Sequence, residues 1–273
     1  MILNMTGPAT GGGSITAPII GVDFNWTGDA GTYQVIDDGD GNWRIKFLSS
    51  GTFTPLRNMV VDVFLVGGGG PGKSGSTSPN TFRGGGGGGS GYTTTVQSIL
   101  LAANTDYPIV IGAGGAVGTT SGGDTTAFNV TAAGGKAPST DDYRYGGDGG
   151  SGGGMGNGAD GGSDGSDGGG SSDTFKGKGQ GTTTREFGET DGDLYAGAGA
   201  GGNGDSTTGA SKLYTGGAGG GGNCATYYNT ATPGEDGKGG GGGGGCRYSS
   251  TAREGAAGGS GIGVIRQHKE AAA

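Results

Sequence analysis

The eight residues GGGGPGKS at 67–74 carry the most chemically suggestive spacing in the chain. They satisfy the phosphate-loop pattern of a glycine, four free positions, then Gly-Lys-Ser, and they come directly after the apolar run VVDVFLV at 60–66, where such a loop should sit. That chemistry also needs a helix to open straight after the loop, so that its N-terminal amides face the anion. The next residues, GSTSPNTFRGGGGGGS, have no helical pattern. No strand ending in a magnesium-binding aspartate lies between helices downstream either. The stretch reads as a strand running into glycine, not as a nucleotide site.

The other reactive residue types are sparse. Aspartates scattered through 148–173 suggest a calcium-binding β-roll, but that repeat needs a sustained G-G-x-G-x-D period, and none is kept. They read as solvated turn residues. The single histidine, His268, lies five residues before the last residue, in a stretch expected to be a frayed tail. A histidine-based triad or zinc site is therefore not expected. Arg185, Glu186 and Glu189 read as a charged turn. Cys224 and Cys246 flank the longest glycine run and can be read as a disulfide or as two buried thiols, with the bridge favoured. The expectation is a protein that is not an enzyme, with no metal and no cofactor.

The elements that would position any site are set by glycine. Ten of the 77 glycines fall in residues 1–66, and the rest crowd the remainder of the chain. Flexible linker is the default meaning of such a density. Against it, proline is scarce at eight residues, and Phe128, Met155, Phe175, Phe187, Leu194, Tyr195 and Leu213 interrupt the glycine runs. The runs are also bracketed by strand-like YPIVI at 107–111 and GIGVIRQ at 261–267, and a linker needs no closing strand. A folded glycine body has one natural solution, packed left-handed threefold helices that rise about 3.1 Å per residue. Their N–H and C=O groups then bond to neighbouring helices.

Taken in order, residues 1–18 (MILNM, then GPATGGGS) read as a docking peptide or a frayed end. Residues 19–111 are a β-rich base with a hairpin over 32–48, a central strand at 60–66 and further strands at 92–101 and 107–111. Residues 112–260 are the glycine body, 261–267 the closing strand and 268–273 the tail. The fold class is all-β or irregular: a β-sandwich-like base seeding packed polyglycine-II helices joined by exposed loops. Turns are expected at 140–145, 182–189, 224–229 and 246–253. A net charge of −8 and a pI near 4.5 disfavour nucleic acid or an anionic membrane as partner. No apolar run is long enough to be inserted in a membrane, and 1–16 lacks the basic start and apolar core of a secretory signal.

The order VDVFLVGGGG, a long glycine run, YPIVIGAGG, repeated glycine blocks and GGSGIGVIR resembles the glycine-rich domain proteins common among tail proteins of phages and prophages of gut bacteria. TTTREFGE followed by LYAGAGAGG is similar to a segment of that group. The architecture also looks like the tail-fibre tip adhesins of T-even-type phages, and more distantly like the extracellular glycine-rich region of anaplastic lymphoma kinase-type receptors. The resemblance covers about residues 43–266. It implies a receptor-binding protein on a virion tail, attached to a tail fibre or other tail protein through its N-terminal part and facing a host cell-surface component.

Glycine helices have little to distinguish one partner from another, so recognition is expected at tyrosine-bearing turns. Those residues are Tyr143, Arg144, Tyr145, Tyr227, Tyr228, Arg247 and Tyr248. Each ring can instead pack against the glycine layer. A purely structural virion protein and an ice-binding polyglycine protein are the other function classes considered.

Overall fold

The strand β5 (Met59–Val66) is buried on both faces, and the rest of the base is built around it. Its odd positions Met59, Val61, Val63 and Leu65 face one apolar cluster, and Phe64 and Val66 face another. The computed structural model describes residues 17–29, 31–77, 83–139, 142–205, 211–248 and 251–268. Residues 1–16 of the expected docking segment 1–18, and residues 269–273, lie outside that set.

Two five-stranded antiparallel sheets form the base. The first orders β2 (Tyr33–Gly39), β3 (Asn42–Phe47), β13 (Ile262–Gln267), β5 and β6 (Thr93–Leu101). The closing strand β13 therefore sits between β3 and β5, where it pairs Val264 with Phe64 and Ile265 with Ile45. The second orders β1 (Phe24–Trp26), β4 (Gly51–Pro55), β7 (Tyr107–Val110), β8 (Thr125–Ala127) and β9 (Val130–Ala132). One core draws on both, with Trp43, Ile45, Phe47, Val61, Val63 and Ile265 from the first and Phe24, Phe53, Ile109 and Val130 from the second. Phe24 stacks on Phe53 at 5.3 Å between ring centres.

Turn chemistry fixes the registers. The β2–β3 hairpin turns on Asp40 and Gly41, both at positive φ, the conformation a tight two-residue hairpin loop requires. The β8–β9 hairpin turns on Phe128 and Asn129, also both at positive φ. A left-handed phenylalanine is strained, and packing compensates: the Phe128 ring lies 5.5 Å from Tyr107 and 6.2 Å from Phe53. Two strands of only three residues, joined through a phenylalanine turn, gave no strand signal in the sequence, so a piece of the base falls within the range read as glycine body.

Beyond the base, the glycine runs pair through their backbones with a three-residue repeat. The amides of Gly67, Gly70, Lys73 and Ser76 donate to Tyr92, Gly89, Gly86 and Arg83, while Gly69, Gly72 and Gly75 donate to Gly259, Ala256 and Arg253. In 84–91, Gly85, Gly88 and Gly91 donate to Gly245, Gly242 and Gly239. Each run therefore meets different neighbours on different sides, one every third residue. Side chains are excluded there: a Cβ on Gly87 would overlap the Gly199 carbonyl, and one on Gly243 the Asn223 carbonyl. A single short 3₁₀ turn, Glu186–Gly188, is the only helix among the described residues, and no helix is long and apolar enough to cross a membrane.

Candidate recognition tip

The hydrogen-bond registers give the runs a direction. The run 67–77 leaves β5 and 84–91 returns to β6; 239–246 climbs beside both, and 253–261 descends to β13. All paired levels rise from Gly67, Gly91 and Gly239 near the sheets to Ser76, Arg83 and Gly245 at the far end. At that end Tyr143 pairs with Gly86, Asn203 with Arg247, and Ala225 with Gly244. The segments 142–145, 203–205, 225–229, 247–248 and 251–252 therefore share the end of the body opposite the sheets. A small three-stranded sheet closes it, with β10 (Gly204–Asp205) parallel to β11 (Arg247–Tyr248) and β11 antiparallel to β12 (Thr251–Ala252).

Three of the singled-out tyrosines meet there. The Tyr227 ring lies 4.9 Å from Tyr228 and 4.2 Å from Tyr248. Tyr228 is 74% exposed and Tyr227 42%. Their turn is fixed from beneath: Thr226 Oγ1 accepts the amides of Tyr228 at 3.3 Å and Asn229 at 3.0 Å. Arg253 Nη2 donates to the Tyr227 carbonyl at 2.9 Å. Arg247 differs from its neighbours, because it is 3% exposed and its guanidinium donates to the Ser76 carbonyl. Its side chain braces the tip from within and does not face solvent.

The segment 142–145 forms a second cluster on the far side of Lys73. Asp142 accepts Arg83 Nη1 on both oxygens, at 2.9 and 3.0 Å, and Arg144 Nη2 at 2.8 Å. The Arg144 side chain foremost, then its amide and Arg83, outweigh burial and hold the Asp142 carboxyl well below the usual range. The Arg144 guanidinium lies 3.8 Å above the Phe175 ring, and Tyr145 meets the same ring edge-on at 5.1 Å. Lys73 Nζ sits 4.8 Å from the Tyr143 ring centre and donates to Ser139 O at 2.6 Å. Tyr143, Arg144 and Tyr145 are half-buried in these contacts. Residues 140–141 and 249–250 of the expected turns lie outside the described set.

The phosphate-loop spelling has no phosphate-loop geometry. Among the described residues no helix comes after it, and the amides that would cradle an anion, those of 67–70, 72 and 73, are spent on neighbouring runs. The favoured disulfide is corrected in the same way. Cys224 and Cys246 are separate, buried free thiols on adjacent runs, with Cys224 Sγ accepting the Tyr214 amide at 3.2 Å. Burial pushes the Cys224 thiol up to about 11 and also raises Cys246. Among the described residues no grouping of histidine, cysteine, aspartate and glutamate could hold a metal.

Two features were not legible as sites. The charged turn at 185–189 folds onto the base, where Glu186, 2% exposed, receives Arg44 Nη1 at 2.6 Å, Tyr195 Oη at 2.8 Å and an ion pair from Lys46 at 3.1 Å. Beside it a cleft of about 270 Å³ is lined by Asp38, Arg44, Glu189, Asp193 and Arg266. The second is His268. It is not a frayed end: its amide donates to the Val60 carbonyl at 3.0 Å, and its ring lies between Asp62 and Ser98. One histidine at a chain end gave no signal that two distant strands would supply its partners.

An antiparallel β base carrying hydrogen-bonded glycine runs and a loop-bearing tip defines a glycine-rich, all-β class of protein. The family model for a glycine-rich domain matches residues 48–268, and the chain belongs to that family. No curated protein matches it.

Proposed function

We propose that this chain is a receptor-binding protein of a phage or prophage tail, recognising a host cell-surface protein or glycan through the loops at its tip. The observation that carries the reading is the cluster of Tyr227, Tyr228 and Tyr248, with its two exposed rings, at the end of the body opposite the sheets. Tyrosine offers large contact area, few rotors to immobilise and a polar edge, which suits it to recognition. The three-residue repeat of amide partners supports a body of polyglycine-II helices, which would be a rigid and chemically inert mount. The core shared by two sheets supports a sandwich-like base.

On this reading the N-terminal part attaches to a tail fibre or other tail protein, so the protein acts outside the cell on a virion. The exposed Ile19, Ile20 and Val22, next to the segment 1–16, supply apolar surface suited to that attachment. Recognition by the tip asks for neither catalysis nor a cofactor.

The test is binding of the purified chain to a panel of bacterial cells, repeated with Tyr227→Ala/Tyr228→Ala. Binding that falls at least tenfold with an unchanged melting temperature supports the reading. Binding retained by that variant moves the site elsewhere, and no binding to any cell favours a purely structural virion protein. A thermal hysteresis measurement addresses the ice-binding alternative.

A further inference from the structure

Three neighbouring runs form one flank of the glycine body. The Lys136 amide donates to the Asp148 carbonyl at 2.8 Å, while the Gly146 and Gly149 amides donate to the Phe175 and Lys178 carbonyls at 2.8 and 2.9 Å. The run 145–149 therefore lies between 136–139 and 173–178. Gly89 donates to the Lys136 carbonyl and Gly147 to that of Gly87, which sets this flank midway between the sheets and the tip. A cleft of about 310 Å³ opens there, with Lys136 on one wall, Lys176 and Lys178 on the other, and Tyr145, Gly146 and Asp148 between them.

The polar groups of this cleft are unequally spent. Lys176 Nζ is held by Asp173 at 2.8 Å and Lys178 Nζ by Asp167 at 2.8 Å. Asp148 Oδ1 accepts the Lys178 amide at 2.6 Å. The Lys136 ammonium, Asp148 Oδ2 and the Tyr145 hydroxyl have no partner among the described residues. The cleft beside Glu186 is the contrast, because Arg44, Glu189 and Arg266 are all paired there. Tyr145 is nonetheless held in place. Its ring meets Phe175 edge-on at 5.1 Å, and Arg144, anchored by Asp142, lies 3.8 Å from the same Phe175 ring.

The unspent groups decide the ligand. An anion would meet the Asp148 carboxylate, and a cation would meet the Lys136 ammonium. A neutral polyol satisfies both, because each hydroxyl donates and accepts. The Tyr145 ring beside this donor–acceptor pair adds an apolar surface with a polar tip. The volume stands at the lower end of ligand sites, which run from about 300 Å³ upward, and suits one sugar ring better than a folded partner. We propose that this flank cleft binds a neutral hexopyranose. Lys136 Nζ donates to one ring hydroxyl, Asp148 Oδ2 accepts from another, and Tyr145 packs against the C–H edge while its hydroxyl bonds a third. Walls anchored through the backbone and a tyrosine already fixed by its neighbours lower the cost of ordering the site. The cleft is separate from the cluster of Tyr227, Tyr228 and Tyr248 and does not rest on the recognition reading.

The test titrates the isotopically labelled full chain with glucose, galactose and mannose, with glucuronate and glucosamine as charged controls, and follows backbone amide shifts. At least one neutral hexose should saturate with a Kd of about 1–10 mM and move the amides of Gly146, Asp148 and Lys178. Lys136→Met and Asp148→Asn should each raise that Kd about tenfold. Both should keep the melting temperature, because Lys136 is exposed and asparagine retains an oxygen for the Lys178 amide. Tyr145→Phe, which keeps the ring, should raise the Kd about fivefold. Tyr227→Ala/Tyr228→Ala should leave it unchanged, so failure at the flank and failure at the tip are read separately. The proposal is overturned if no neutral hexose gives a saturable shift, if a charged control binds more tightly than every neutral hexose, or if Lys136→Met and Asp148→Asn bind like the natural chain.

Discussion

Tyr195 Oη donates to Glu186 Oε2 at 2.8 Å while accepting Lys46 Nζ at 2.9 Å, so one phenol ties the glycine body to strand β3 of the base. The ring itself lies 5.3 Å from Phe64 and is 1% exposed. Burial first, and then the Glu186 charge, push its hydroxyl well above the ordinary tyrosine range, which keeps it a neutral donor. Glu186→Ala leaves Arg44 and Lys46 with a vacated buried partner and should cost about 3 kcal/mol, read by denaturant unfolding. Tyr195→Phe removes one hydrogen bond and should cost about 1 kcal/mol. Equal costs for the two would mean that the carboxylate contributes nothing beyond the phenol.

Glycine in the body is required for space, and glycine in the hairpin is required for its backbone angle. Gly87→Val and Gly243→Val place a branched side chain into a neighbouring backbone carbonyl and should each cost about 3 kcal/mol or more. Gly39 has positive φ and open space around its missing Cβ, so Gly39→Val should cost less and through strain alone. Melting temperatures unchanged by central Gly→Val variants would refute the packing of the runs.

The amides of Gly239, Gly241, Gly242, Gly243, Gly244 and Gly245 all donate to other runs or loops. Hydrogen exchange across 239–245 should therefore be protected to the level of strand β5, and exchange at the random-coil rate is the contrary result.

The two cysteines give a redox-independent count. Denatured without reductant, the chain should titrate two thiols; in the native state both should resist alkylation near pH 8, because burial raises both thiols and encloses them. A native protein that yields no thiol on denaturation carries the bridge after all.

Asp62 makes stability depend on acid. Its folded carboxyl titrates below its ordinary value, so the unfolded chain takes up the proton first as pH falls. Its contribution is present above about pH 4 and is lost as pH drops through the lowered folded value. Asp62→Asn should be less stable than the natural chain at pH 7, and the gap should close as pH falls through the lowered folded value. A gap independent of pH would assign the loss to packing.

Much of the base was legible because local physics wrote it. Alternation marks β3, an all-apolar run marks β5, Asp40–Gly41 can make the hairpin turn, and the apolar stretch at 262–265 marks the closing strand. The glycine density itself requires that side chains be absent wherever runs touch, and the chain's tyrosine-bearing segments mark where turns can fall. Which turns converge is a different kind of fact. Tyr227, Tyr228 and Tyr248 meet, Tyr143 and Tyr145 pack into a separate cluster, and Arg247 turns inward, because inter-run registers set by backbone bonds decide which levels face one another. The same holds for Asp62, Ser98 and His268, whose strands are adjacent only in the folded sheet. A glycine run carries no side-chain code for its neighbour, so pairing among the runs is settled by the base that anchors their ends and by the turns that join them.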